Sequence, residues 1–197
     1  MIQMKVLANL SKSLLISFLT ASASFTVFAT DIDDAIATAT KHYKAGELSQ
    51  AAAQLDYAST LIRQAKGEQV KKAFPKAPSG WQADEAESEV AAAAMFGGGI
   101  TATKTYRNDA HSIEIQLMMD SPMLQAFSMM LSNPSMIAMS GGKIIKIQGI
   151  QAVQRIENDE VEVQFVTPAG AMISLSGDKA VQSTILSLAN SFDLKKL

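Results

Sequence analysis

The stretch KIIKIQGIQAVQRIENDEVEVQFVTPAGAMISLS, residues 143–176, decides how this chain folds. Apolar and polar residues alternate over Lys143 to Gln148, Gln151 to Glu157, Glu160 to Thr167 and Ala171 to Ser176, a period-two pattern that predicts strands. Asn158-Asp159 and Pro168-Ala169-Gly170 separate the runs with residues suited to tight turns. Turns this short join antiparallel neighbours, so the stretch predicts a meander.

Upstream, the same period runs through Ile100 to Tyr106 and Ser112 to Met119, on either side of Arg107-Asn108-Asp109-Ala110. Ile113, Ile115, Leu117 and Met119 share one face of the second run, and Ser112, Glu114, Gln116 and Met118 the other, as in a half-buried strand. Downstream, Gly177-Asp178 opens a helix with Val181, Thr184, Ile185, Leu188 and Phe192 on one stripe. A one-sided sheet needs a lid, and an apolar helix stripe needs a surface to cover. Together they predict an α+β fold: an antiparallel sheet of about six strands with helices mainly on one face.

The part before the sheet reads differently. Ile32, Ile36, Ala39 and Tyr43 fall at helical steps, and Ala45-Gly46-Glu47 breaks the pattern. Leu48, Ala51, Leu55, Ala58, Ile62 and Ala65 then repeat at heptad-like spacing, giving a helical hairpin over residues 30–74. Residues 75–81 carry two prolines and a glycine and form a linker, leaving 82–197 for the sheet domain. Within it, Asp84 followed by Glu87 fits a capping box, which predicts a short helix continuing through Val90, Ala93, Ala94 and Met95 to Gly97-Gly98-Gly99. Its four acids would fan around that helix, with no loop glycine among them, so they do not form a calcium loop.

Two resemblances attach to these segments. The words TATKHYKAGELSQAAAQLDYA, with Tyr43, Gly46, Leu48, Ala51, Leu55 and Ala58, resemble one tetratricopeptide helical pair, although no second copy follows to extend it into an array. Phe74-Pro75 with Pro78-Ser79-Gly80-Trp81, a hairpin, a helix after Asp120-Ser121-Pro122, and Ile147-Gln148-Gly149 opening a meander are together similar to PsbP-like and DcrB-like exported domains, over about residues 78–197. That resemblance implies a binding or assembly module and carries no specific activity.

Composition narrows the function classes. The 197 residues are 48% hydrophobic and 18% charged, which is globular, and the formal charge of −2 argues against general nucleic-acid binding. With no cysteine in the chain, thiol catalysis, zinc–thiolate sites, disulfides and a lipidated cysteine anchor are excluded. Residues 1–29 read as a secretory signal peptide: Lys5 and Lys12 precede an apolar core from Leu14, and Val27-Phe28-Ala29 offers a cleavage site before Thr30. The alternative is an uncleaved anchor over Leu14 to Ala29, a run that five serines and threonines interrupt; the expectation is a periplasmic or secreted protein with no transmembrane segment in its mature chain.

Catalytic motifs are absent. Gly98 to Thr105 misses a phosphate-binding loop at Thr103, which stands where glycine is needed, and lies in a strand pattern instead of leading into a helix. His42 and His111 lack partners at zinc-ligand spacing, and no nucleophile elbow or His-Glu-x-x-His occurs. The expectation is a non-enzyme without a cofactor; the alternative is an enzyme whose site is assembled across the fold and is not visible in sequence. The remaining functional signal is Leu117 to Met139, which holds seven of the eleven methionines. Met118, Met119, Met123, Met129, Met130, Met136 and Met139 would be the donor pool for copper(I), since thioethers are soft ligands. Packing accounts for most of them better: Met123, Phe127, Met130 and Leu131, widened by Leu124 and Ala126, form a core-facing stripe on a helix from Pro122 to Leu131, and Met119 continues a buried strand face. Met129, Met136 and Met139 lie off that stripe, beside Ser140-Gly141-Gly142, and are the candidate contacts for a protein partner or apolar ligand.

Overall fold

The structure, a computed structural model, describes residues 23–90 and 99–197, with side chains from Ala29 onward. The chain divides into two compact units, Met1–Ala58 and Ser59–Leu197.

The first unit is helical: α1 (Ala23–Lys44) leads through a three-residue turn into α2 (Leu48–Val70), whose second half belongs to the other unit. Gly46 closes α1 at φ 78°, donating its N–H to the Tyr43 carbonyl, while the Glu47 N–H reaches the His42 carbonyl. The positive φ explains the glycine there. The expected apolar stripe holds for its alanines and is corrected for its larger side chains. Ala35, Ala39, Ala51 and Ala58 are buried, whereas Ile36, Tyr43, Leu48 and Leu55 are exposed. Small side chains let helix backbones approach closely, so the alanines occupy the interior. The signal-peptide reading falls largely on residues 1–22, outside the described residues; α1 runs unbroken through Ala29 and Thr30.

The second unit is built on an antiparallel sheet of eight strands: β1 (Gln82–Ala83), β2 (Glu87–Val90), β3 (Ile100–Arg107), β4 (Ser112–Met119), β5 (Gly142–Ile147), β6 (Ile150–Glu157), β7 (Glu160–Val166) and β8 (Met172–Asp178). Their spatial order is β1-β3-β4-β8-β7-β6-β5, with β2 also paired to β3. The turns are built as their residues demand. Gln148-Gly149 and Asn158-Asp159 both have positive φ at each position, the twist that two-residue hairpins require.

Register puts the apolar residues of neighbouring strands in line. Ile115 pairs with Leu175, which pairs with Val163; Leu117 pairs with Ile173, which pairs with Phe165. All six are fully buried in the main core. Helix α5 (Gln182–Asn190), entered by a 3-10 turn at Lys179–Val181, covers this face with Val181, Ile185, Leu188 and Ala189. The end of α2 contributes Val70, and the Phe74 and Phe192 rings meet at 5.9 Å. Gln148 ties the β5–β6 turn to this layer: its backbone N–H donates to Asn190 Oδ1 (3.1 Å) and its Nε2 to the Phe192 carbonyl (3.0 Å).

Two short helices, α3 (Met123–Leu131) and α4 (Pro134–Met139), add a small layer on the opposite face. Leu131, Ile137 and Val153 form its core, with Phe127, Met130 and Val166 packed around them.

The sheet is larger than expected because Asp84 to Val90, predicted to start a helix, pair with β3 instead. β2 pairs with β3 from Glu87↔Thr103 to Val90↔Ile100, and the Asp84 N–H donates to the Thr105 carbonyl at 2.9 Å. The Asp84 carboxylate meets Arg107 at 2.7 Å instead of capping a helix. A capping box is worth little beside a ladder that satisfies backbone groups along β3. Glu87 and Glu89 point to solvent and Ser88 and Val90 are half-buried, a period of two that the capping pattern hid. The rest of that predicted helix, from Ala91 to Gly98, lies outside the described residues.

Candidate functional site

Residues 121–142, SPMLQAFSMMLSNPSMIAMSGG, contain no charged side chain and fold into α3, α4 and the approach to β5. On α3, Leu124 and Leu131, seven residues apart, are buried and set the inward face. Met123 lies to one side of that face and is 68% exposed, against the expectation that it joined the core stripe. Phe127 and Met130 are half-buried, as members of that stripe should be. The inward face is turned toward Leu124 and Leu131, which leaves Met123 outside it.

α4 starts at a well-formed cap. The Asn133 side chain accepts from the Ser135 and Met136 N–H groups at 3.1 and 3.3 Å, and Pro134 occupies the first turn, where a missing N–H costs nothing. Ile137 alone is buried, so Met136 and Met139 face outward at 48% and 89% exposure. The glycines that follow are not a loose hinge. Gly141, at φ 71°, donates to the Ala138 carbonyl and ends the helix. Gly142 sits where an added Cβ would lie 2.9 Å from Ile137 Cγ2 and 2.8 Å from Val153 Cγ1, so its missing side chain lets α4 approach the sheet.

Two β6 side chains satisfy carbonyls at the helix ends. Gln151 Nε2 donates to the Leu131 carbonyl at 2.7 Å, and Arg155 Nε to the Ser140 carbonyl at 3.1 Å. Arg155 also pairs with Glu162 at 2.7 Å, and Gln164 donates to the same carboxylate at 2.6 Å. Donors aimed at the last carbonyls of a helix remove unpaired groups there, which fixes α3 and α4 on the sheet.

The seven methionines of the copper set are not brought to one place. Met119 is 3% exposed in the main core, while its neighbour Met118 points to the other face of the sheet beside Met172. Met130 is half-buried in the small core. Met129, Met136 and Met139, together with Met123, share the solvent side of α3 and α4. Among the described residues, no cluster of three or more His, Asp or Glu could hold a metal ion.

The histidines do have partners. His42 Nδ1 contacts Glu47, and His111 Nδ1 lies 2.8 Å from Asp178. The second pair opens into a shallow depression of about 520 Å³ lined by Ala110, His111, Asp159, Asp178, Lys179 and Ala180, a set without a hydroxyl or thiol nucleophile. Thr103 to Thr105, the near-match to a phosphate loop, lies within β3.

Fold and surface define a class: an α+β protein with one large antiparallel sheet and an uncharged, methionine-bearing layer on the face away from its main core. Comparison with family models, with curated proteins and with solved structures finds no match for the chain. Among the described residues, no helix is long and apolar enough to cross a membrane.

Proposed function

We propose that the protein is an exported, non-catalytic binding or assembly module that presents the methionine surface of α3 and α4 to a protein partner or apolar ligand. One observation carries this reading: Met123, Met129, Met136 and Met139 are 48–89% exposed on a segment without a single charged side chain. Flexible, polarizable thioethers adapt to varied apolar partners, and solvent-facing methionines gathered on one layer have no role in the protein's own core.

The test exchanges Met129, Met136 and Met139 for Ser and compares stability and partner capture with the parent chain. The expected result is unchanged thermal unfolding with loss of the partner. Retention of every partner with stability intact would count against the surface. Copper(I) binding by the same thioethers is the competing chemistry. A competition with a chromogenic copper(I) chelator separates it: transfer of the metal to the parent chain, lost in the Ser variant, replaces the binding-module reading with a copper one.

A further inference from the structure

The outer edge of β5 lies beside α4 and ends the sheet; among the described residues, only β6 pairs with it. Its register with β6 runs without a bulge from Gly142↔Arg155 to Ile147↔Ile150, and the strand contains no proline. Because Gln148-Gly149 forms a two-residue hairpin turn, Ile147 and Ile150 are a hydrogen-bonded pair, and bonding alternates from there. Ile145 and Lys143 thus bond to β6, while the N–H and C=O groups of Ile144 and Lys146 point away from the sheet.

Side chains around that edge have a consistent chemistry. Ile144 is 43% exposed on the sheet face that carries α4, on the same side as Met136 and Met139. Lys146 shares the face of Ile144 and Lys143 lies on the other; both are exposed, and neither joins an ion pair among the described residues. From Ser121 to Ile156 there is no aspartate or glutamate at all, although the chain as a whole is net negative at −2.

We infer that β5 accepts an extended segment of a partner protein as a ninth strand. Its backbone bonds to Ile144 and Lys146, its alternate apolar side chains cover Ile144, Met136 and Met139, and the carboxylates on its other face lie by Lys143. Strand addition draws affinity from main-chain bonds and selectivity from alternate side chains. The alternatives fit less well. A second copy pairing edge to edge would bring two sets of lysines together with no acid nearby, and edge lysines are a known deterrent to self-pairing. A lipid surface would strand the outward N–H and C=O groups in hydrocarbon. This inference rests on the methionine surface being a binding site and adds the form and charge of what binds.

The probe is an acetylated, amidated peptide of about eight residues alternating valine and glutamate, near the usual strand length. A valine–lysine peptide is the control, and the readout is amide hydrogen exchange by NMR on the full chain. The expected result is exchange at Ile144 and Lys146 slowed at least about tenfold by the acidic peptide only. Ile144→Pro removes an outward N–H without touching the β6 ladder and should abolish that protection. The variant Lys143→Glu keeps the fold and should switch preference to the valine–lysine peptide. Unchanged exchange in β5 overturns the inference. So does protection that grows with protein concentration in the absence of peptide, which would mean self-pairing. Binding to phosphatidylglycerol vesicles with β5 still exchanging freely would overturn it in favour of a membrane surface. The Ser variant of the methionines separates the two readings. If partner capture is lost on Met→Ser but unaffected by Ile144→Pro, the methionine surface stands and strand addition falls; if β5 protection survives Met→Ser in full, the methionine reading falls.

Discussion

The phenol of Tyr106 lies inside the main core and donates to the Pro75 carbonyl at 2.7 Å. It joins β3 to the segment that leaves α2, residues 31 apart in the chain. Tyr106→Phe leaves that carbonyl unpaired, and we predict a loss of about 1–2 kcal/mol in denaturant unfolding. Burial also raises the phenol's pKa, because the charged form would lose its water. The unfolded chain therefore releases this proton near the ordinary tyrosine value of about 10, while the folded chain holds it. Below that pH the contribution is fully present, and it is lost as pH rises beyond it. Unfolding curves at rising alkaline pH should show a steeper fall in stability for the parent than for Tyr106→Phe. Gln154 is the opposite case: it is 6% exposed, and its side-chain nitrogen has no partner among the described residues. Gln154→Met keeps the volume and removes the unpaired donor, and should raise stability by about 1 kcal/mol in the same assay. Neither residue announces its state in sequence. Tyr106 closes an alternating run, but its hydroxyl partner is decided by how the Pro75 segment crosses the sheet.

Among the elements, α4 depends on two residues that carry no functional chemistry. Asn133→Ala removes the cap and should cost about 1 kcal/mol. Gly142→Ala drives a methyl into Ile137 and Val153, both stiff at Cβ, and should cost about 1–3 kcal/mol through overpacking. In both variants, exchange at Met136 to Met139 should quicken while the amides of β4 and β8 keep their protection; equal quickening across the sheet would show that α4 is not a separate unit. Strands were the most legible elements. The run Ser112 to Met119 is β4 to the residue, and β5 to β8 fall within one or two residues of their predicted limits, because alternation records which face is buried. The segment after Asp84 was misread because Asp84 and Glu87 match a helix start locally, while the deciding partner, the free edge of β3, begins at Ile100. Local pattern contains no information about an empty edge.

Across the whole molecule, the methionines should divide by burial. Mild peroxide followed by peptide mass mapping is expected to oxidise Met123, Met129, Met136 and Met139 first and to spare Met119 and Met172, which are 3% and 8% exposed, until the chain unfolds. Equal oxidation of Met119 would contradict its place in the core. The surface itself was half legible: Met129, Met136 and Met139 were singled out because they lie off an apolar stripe, but Met123 and the edge at Ile144 were not. The α+β class, the antiparallel meander and its turns follow from the sequence alone, because period-two alternation and turn chemistry act over a few residues. Tertiary structure alone decided that alanines rather than leucines fill the helical pair, that the acidic segment pairs with β3, and that the methionines separate into core and surface. Each of those outcomes depends on what lies across the interface from a residue, where side chains are sorted by the space available and by unpaired backbone.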